Sequence, residues 1–301
     1  MRFFPSLKLQ STAMKSTPRD VSRAHDTAKL LRLYLKRQIA TLQRRRALIL
    51  SETAVEDVHK MRVAIRRLRC VLRSLGYENE PLLADARWAA RRLGAVRDLD
   101  VIRLTHAGHK HPPNAAERRY LEHLEKRWLR ARWRLDRCLR NKRLHRLITE
   151  LKELRRALIN DASLISHDAR SATRAQLKKV KARGRNIGPG SGSRQLHRLR
   201  IECKRLRYLI ELYGTMPETR LRVFETNTQD LLHLLGALQD ERVALTHLRA
   251  YQAKLATGKA SGDASDIRHK IDAHEKNIRT LRHRFPTVWR RFDDMCKARM
   301  L

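Results

Sequence analysis

An arginine-dense phrase occurs twice in this chain, as VHKMRVAIRRLRCVLRSLG at 58–76 and LHRLRIECKRLRYLIELYG at 196–214, a constant 138 positions apart with a histidine second in each. A shorter element trails each copy, LGAVRD at 93–98 and LGALQD at 235–240, now 142 positions apart. Such a duplication implies two related units. Each would bury little apolar surface by itself, and two facing one another can share a core and form a groove between them.

Those units read as helical. Apolar residues recur at helical spacing, and only 11 Gly and 8 Pro punctuate 301 residues, the composition of a helix bundle. The periodicity predicts helices over 20–50, 54–76, 80–106 and 115–157, then over 166–186, 194–214, 218–256 and 264–301. The expected fold is therefore all-α, two pseudo-symmetric four-helix bundles: a first half at 20–157, a linker at 158–165 and a second half at 166–301. Residues 1–19 are expected to form a mobile tail. Thr53 with Glu56 has capping-box spacing at the start of the first phrase helix, and Ser193 is placed to cap the second.

On a helical wheel the phrase separates into stripes. Val58, Met61, Ile65, Leu68, Leu72 and Leu75 make one apolar stripe, beside His59, Arg62, Arg66, Arg69 and Arg73. In the second copy Leu196, Leu199, Cys203, Leu206, Ile210 and Tyr213 lie beside His197, Arg200, Lys204 and Arg207. Basic stripes are usually the solvated back of an amphipathic helix. Here Val63 and Cys70, or Ile201 and Tyr208, border the cations on the far flank, and Lys60, Arg67 and Ser74 are left for the outward face. Cations between two apolar strips are expected in a seam, where they are costly to leave unneutralised.

The chain carries 68 Lys and Arg against 31 Asp and Glu, a formal charge of +37, so its natural partner is a polyanion. Asp98 and Asp240, in the paired LGA elements, are the acids best placed to orient the stripe, in structural roles. Two carboxylates cannot neutralise two rows of four or five cations, whereas phosphates can. From His59 to Arg69 the row runs roughly 15 Å at about 1.5 Å per residue, a length that suits a linear chain of phosphates. Arginine offers bidentate donors to phosphate oxygens and lysine a point charge. His59 and His197 either strengthen binding as pH falls or hydrogen-bond within the seam.

The phrase H-x-x-R-V-x-x-x-R-L-R at 59–69, its partner H-x-L-R-I-x-x-K-R-L-R-Y at 197–208 and the trailing L-G-A-x-x-D elements resemble the CHAD family, the histidine-containing α-helical domain. The resemblance covers nearly the whole chain from about residue 20. It implies two four-helix bundles around a basic central channel that binds inorganic polyphosphate. Carried over position by position, it implies His59, Arg62, Arg66, Arg69, His197, Arg200, Lys204 and Arg207 as phosphate contacts. Arg73 is set apart because its counterpart is Glu211, a departure that makes the two walls electrically unequal. Lys36, Arg91, Arg97, Lys181 and Arg185 are further candidates from their stripe positions.

Competing readings remain at this stage. Charge this high also attracts DNA or RNA through counter-ion release, although no helix-turn-helix or zinc-finger pattern is present and aromatics make up 5% of the chain. A phosphoanhydride-cleaving enzyme would need clustered carboxylates around a metal or an activated nucleophile, which the phrase helices do not supply. No catalytic residue, metal or cofactor is therefore expected. A scaffold on granules of another polymer is the weakest alternative. Four scattered cysteines suggest ordinary packing in a reducing compartment. No run approaches the roughly 20 apolar residues needed to span a bilayer, which points to a cytoplasmic protein, carried to polyphosphate granules if it binds that polymer. Oligomeric state is not readable.

Overall fold

Both predicted apolar stripes are buried in full, Val58 to Leu75 in the first phrase and Leu196 to Tyr213 in the second. A buried leucine contributes roughly 2 kcal/mol, so each stripe pins its helix to the core more firmly than propensity could. The computed structural model describes residues 18–52, 54–77, 80–107, 112–160, 169–188, 190–214, 224–256 and 263–298. Among them the fold is all-α. Its helices are α1 (Pro18–Ser51), α2 (Val55–Ser74), α3 (Pro81–Ala107), α4 (Ala115–Leu139), α5 (Lys142–Asn160), α6 (Ala169–Arg185), α7 (Ser193–Tyr213), α8 (Glu225–Ala256) and α9 (Asp263–Ala298). The expected tail falls mostly in residues 1–17, and most of the expected linker in 161–168, both outside the described residues.

One predicted helix is two. The segment expected as a single helix over 115–157 breaks after Leu139, where Asn141 begins a new turn: its Oδ1 accepts from the Arg143 backbone N–H at 2.8 Å. That is the capping chemistry by which Asn starts helices, and it gives the first half five helices instead of four. Both predicted caps shift as well. The residue before α2 is Ala54, with no side-chain cap, and Thr53 lies outside the described residues. Ser193 is the first residue of α7. The cap is Gly192, whose N–H donates to Gln195 Oε1 at 2.7 Å. At its far end α2 stops at Gly76, which holds φ +83° while the Tyr77 N–H reaches the Leu72 carbonyl at 2.9 Å and its own N–H reaches Arg73. This left-handed closure needs glycine.

Neighbours in sequence pack as neighbours in space. In the first half α1 lies on α2 and α5, and α3 on α2, α4 and α5; in the second α6 packs on α7, α7 on α8 and α8 on α9. The halves meet where α7 touches α1 and α2, where α3 touches α8, and where α4 touches α9. One continuous apolar cluster runs through both.

Ion pairs fix the angles. Buried Asp85 of α3 takes Arg143 at 2.5 Å and Arg146 at 2.7 Å from α5, and buried Asp57 takes Arg45 of α1 at 2.6 Å. At the α4–α9 contact between halves, Lys270 of α9 meets Glu117 of α4 at 2.6 Å and Asn114 Nδ2 donates to Asp266 at 3.0 Å. Cys70, Cys138, Cys203 and Cys296 are free thiols, all buried. No helix among the described residues is long and apolar enough to cross a membrane.

Candidate anion-binding site

Helices α2 and α7 meet at Cys70, whose Sγ lies 3.6 Å from the Arg205 carbonyl oxygen. Before that crossing the two basic stripes face one another, and their charges act across the seam. Arg66 and Arg62 of α2, Arg200 of α7 and Asp240 of α8 all bear on Lys204. Arg200 in turn feels Arg66, Arg62 and Asp240. Tyr208 on the far flank of α7 bears on both Arg62 and Arg200.

The trailing elements supply the acids. Arg62 Nη2 lies 3.7 Å from Asp98 Oδ1, with the arginine side chain 26% exposed. The Arg62 guanidinium lies over the first LGA element: a Cβ at Gly94 would meet its Nε at 3.7 Å and Nη2 at 3.8 Å, ordinary contact distances. Asp98 is close enough to Asp240 for its charge to bear on that carboxylate. Asp240 is exposed, yet partial desolvation by the neighbouring helices raises its pKa, while Arg200 and Lys204 pull it back down.

The cations show what this costs. Burial first, then Arg66, Arg200 and Arg62, push the Lys204 ammonium down to about 6. Arg200 falls to about 10, from burial and then Arg66. Arg69 also falls to about 10, from burial and then Arg73, Arg87, Arg205 and Arg66. The Nε atoms of Arg69 and Arg200 are buried without a hydrogen-bond partner. Unsatisfied buried donors among like charges are unfavourable, and an oxyanion would satisfy both conditions at once.

The histidines differ. His197 Nδ1 pairs with Gln239 Oε1 at 2.7 Å; with the amide oxygen accepting, the ring proton sits on Nδ1 and Nε2 is left free. The position 142 residues earlier is Arg97, which cannot accept. His59 accordingly has a buried Nδ1 without a partner, and its pKa is lowered by burial first and Arg97 next.

The outward face needs correction. Lys60 is exposed and Ser74 half-buried, but Arg67 turns into the seam and pairs with Glu211 of α7, Nη2 to Oε1 at 2.6 Å. Of the second apolar flank, Cys70 is buried, Val63 and Tyr208 are half-buried and Ile201 stays exposed. Arg207 is exposed and shares a cavity wall with Arg67 and Glu211.

Among the further candidates, Arg97 stands beside His59. Lys36 and Arg91 are exposed on α1 and α3. Lys181 and Arg185 turn toward Asp293 of α9, at 4.0 and 3.7 Å. Sequence reasoning missed Arg87 and Arg205, although arginine at both 67 and 205, a repeat-length apart, was a readable signal. Among the described residues no three His, Cys, Asp or Glu side chains converge as metal ligands would.

The fold recurs in known proteins. The crystal structure of the CHAD domain from the plant Ricinus communis superposes with a TM-score of 0.66 at 21% identity, covering 85% of this chain and 91% of that one. PptA from Streptomyces chartreusis gives 0.65 at 16% identity, over 87% and 99%. No curated protein matches by sequence. The CHAD domain family model matches residues 33–249, most of the chain, and the protein therefore belongs to the CHAD domain family.

Proposed function

We propose that the protein binds inorganic polyphosphate, without turning it over, in the seam between α2 and α7. The observation that carries this reading is the opposition of Arg62 and Arg66 to Arg200 and Lys204 across partly buried walls, with Asp98 and Asp240 as the facing acids. A thin, flexible chain with one charge per phosphate can enter such a seam and bond arginines on both sides. The exposed contacts remain available outside it. In a cell, this binding would carry the protein to polyphosphate granules.

The test is binding of medium-length polyphosphate to the Arg66→Glu/Lys204→Glu variant. Loss of binding with helical content retained is expected, and unchanged affinity would remove the site assignment. The overall charge of +37 favours a second reading, nucleic-acid binding. Competition at matched phosphate concentration separates the two, because a stiff duplex cannot follow a seam between half-buried arginines; a win for duplex DNA would overturn the polyphosphate reading. Sustained phosphate release with magnesium or manganese would overturn the absence of turnover.

A further inference from the structure

The cation row does not end at the crossing. Beyond Cys70, α2 continues with Arg73, which folds back so that its Nη1 donates to the Arg69 carbonyl at 3.3 Å. There a cavity of about 230 Å³ opens between α2, α6 and α7, walled by Arg73, Ser74, Gln176, Lys179 and Arg205. Its lining contains three cations and, among the described residues, no acid. Arg205 is held on buried Glu202 by bonds of 3.0 and 2.9 Å, both made by Nη1, which fixes its guanidinium at the wall. Arg69 precedes the cavity on α2: its carbonyl accepts from Arg73 of the cavity wall, and Arg73, Arg87, Arg205 and then Arg66 all bear on its guanidinium.

The repeat-related side is built differently. The position matching Arg73 is Glu211, and the one matching Arg205 is Arg67. These two form a paired contact, Nη2 to Oε1 at 2.6 Å and Nε to Oε2 at 3.2 Å. The cavity on that side is lined by Arg67 and Arg207 but also by Glu211 and Glu225, so its charges cancel. Among the described residues, with Arg205 paired to Glu202 and Arg67 to Glu211, the first lining still holds Arg73 and Lys179, whereas on the second Arg207 is offset by Glu225.

We propose that the cavity between α2, α6 and α7 is a second anion subsite, which takes the continuation of the phosphate chain as it leaves the central seam past Arg69, while the Arg67–Glu211 pair closes the opposite exit. The bound chain then leaves in one direction only. This rests on the polyphosphate reading above and adds a length dependence: a short oligophosphate fills the seam, and a longer chain gains the arm.

Calorimetric titration of the full chain with tripolyphosphate and with a medium-length polyphosphate tests it. Arg73→Gln/Lys179→Gln is expected to weaken the long chain about tenfold, as the loss of two partly exposed cation contacts implies, and to leave tripolyphosphate nearly unchanged. Equal loss for both lengths, or loss for neither, overturns the subsite. Lys179→Gln alone, at an exposed position, should give a smaller loss with the same length selectivity if the double variant folds poorly.

Glu211→Gln, which frees Arg67, should strengthen long-chain binding only, and no gain overturns the closed exit. Arg66→Gln is the control for the central seam and should weaken both lengths. If it weakens neither, the polyphosphate reading has failed at the seam itself.

Discussion

Arg67 of α2 and Glu211 of α7 join the halves of this protein by a two-point contact across 144 positions of sequence, with both side chains about a quarter exposed. Each repeat supplies one member. A bidentate arginine–carboxylate pair in partial burial holds its partners in one geometry. The pair therefore ties α2 to α7 at one point of the boundary between the halves.

Its strength is measurable. Partial exposure limits the coupling energy of Arg67 and Glu211 to about 1 kcal/mol. A double-mutant cycle of Arg67→Ala and Glu211→Ala in urea should return that figure. Additive losses would show that each residue acts alone.

A second prediction concerns the contact between α6 and α9. A Cβ at Gly184 would stand 1.9 Å from the Trp289 ring, so the indole lies directly on the α6 backbone. Gly184→Ala should cost about 1–3 kcal/mol through overpacking, despite the better helix propensity of alanine. Thermal melts of Gly184→Ala and of Gly184→Ala/Trp289→Leu decide it: the double variant should recover part of the loss. A wild-type melting temperature for the single variant would show the ring moving aside freely.

Much of this was legible in the sequence, and the failures have physical causes. Period and repeat placed both apolar stripes correctly, because burial of Ile65 or Leu206 is a property of one helix face. Asp98 was legible as an acid placed to orient the arginine stripe, since the motif recurs in both halves. The seam's edges were not. A wheel gives the angle of Arg67 on α2 but not where α7 crosses, so a residue read as outward became a contact between halves. The break at Asn141 was missed because Leu135, Leu139 and Leu144 keep apolar periodicity across it, and one capping side chain outweighs that pattern locally. Lys181 and Arg185 sit at plausible stripe positions, but Asp293, more than a hundred residues later, draws them to α9.

The unequal histidines give a third prediction. Arg97 stands where the second half has Gln239, and it holds the His59 pKa down after burial has done so. Arg97→Gln removes that repulsion and offers an acceptor like the one His197 uses. The His59 pKa, followed by NMR of the ring protons, should rise. An unmoved His59 would mean that burial alone sets its value.

The last prediction turns on Lys204. Its folded pKa of about 6 lies far below the ordinary 10.5, with burial the first cause and Arg66, Arg200 and Arg62 next; Asp240 on α8 is the acid opposing them. A base with a depressed folded pKa stabilises the fold in full above its unfolded value. That contribution is lost as pH falls, and is gone below about 6. The ligand-free protein should therefore lose up to about 1.4 kcal/mol per pH unit from this group as pH drops through the window between the two values. Lys204→Met should be more stable at neutral pH and should flatten that slope.

Binding reverses the sign. A phosphate chain in the seam favours the ammonium form, so complex formation should take up close to one proton at mildly alkaline pH, and affinity should rise as pH falls toward about 6. Titration calorimetry in two buffers of different ionisation enthalpy reads the proton count directly. Lys204→Met should abolish the alkaline uptake while keeping any contribution from His59 at lower pH. The same proton count in wild type and Lys204→Met would place the ligand's charge somewhere other than beside Lys204.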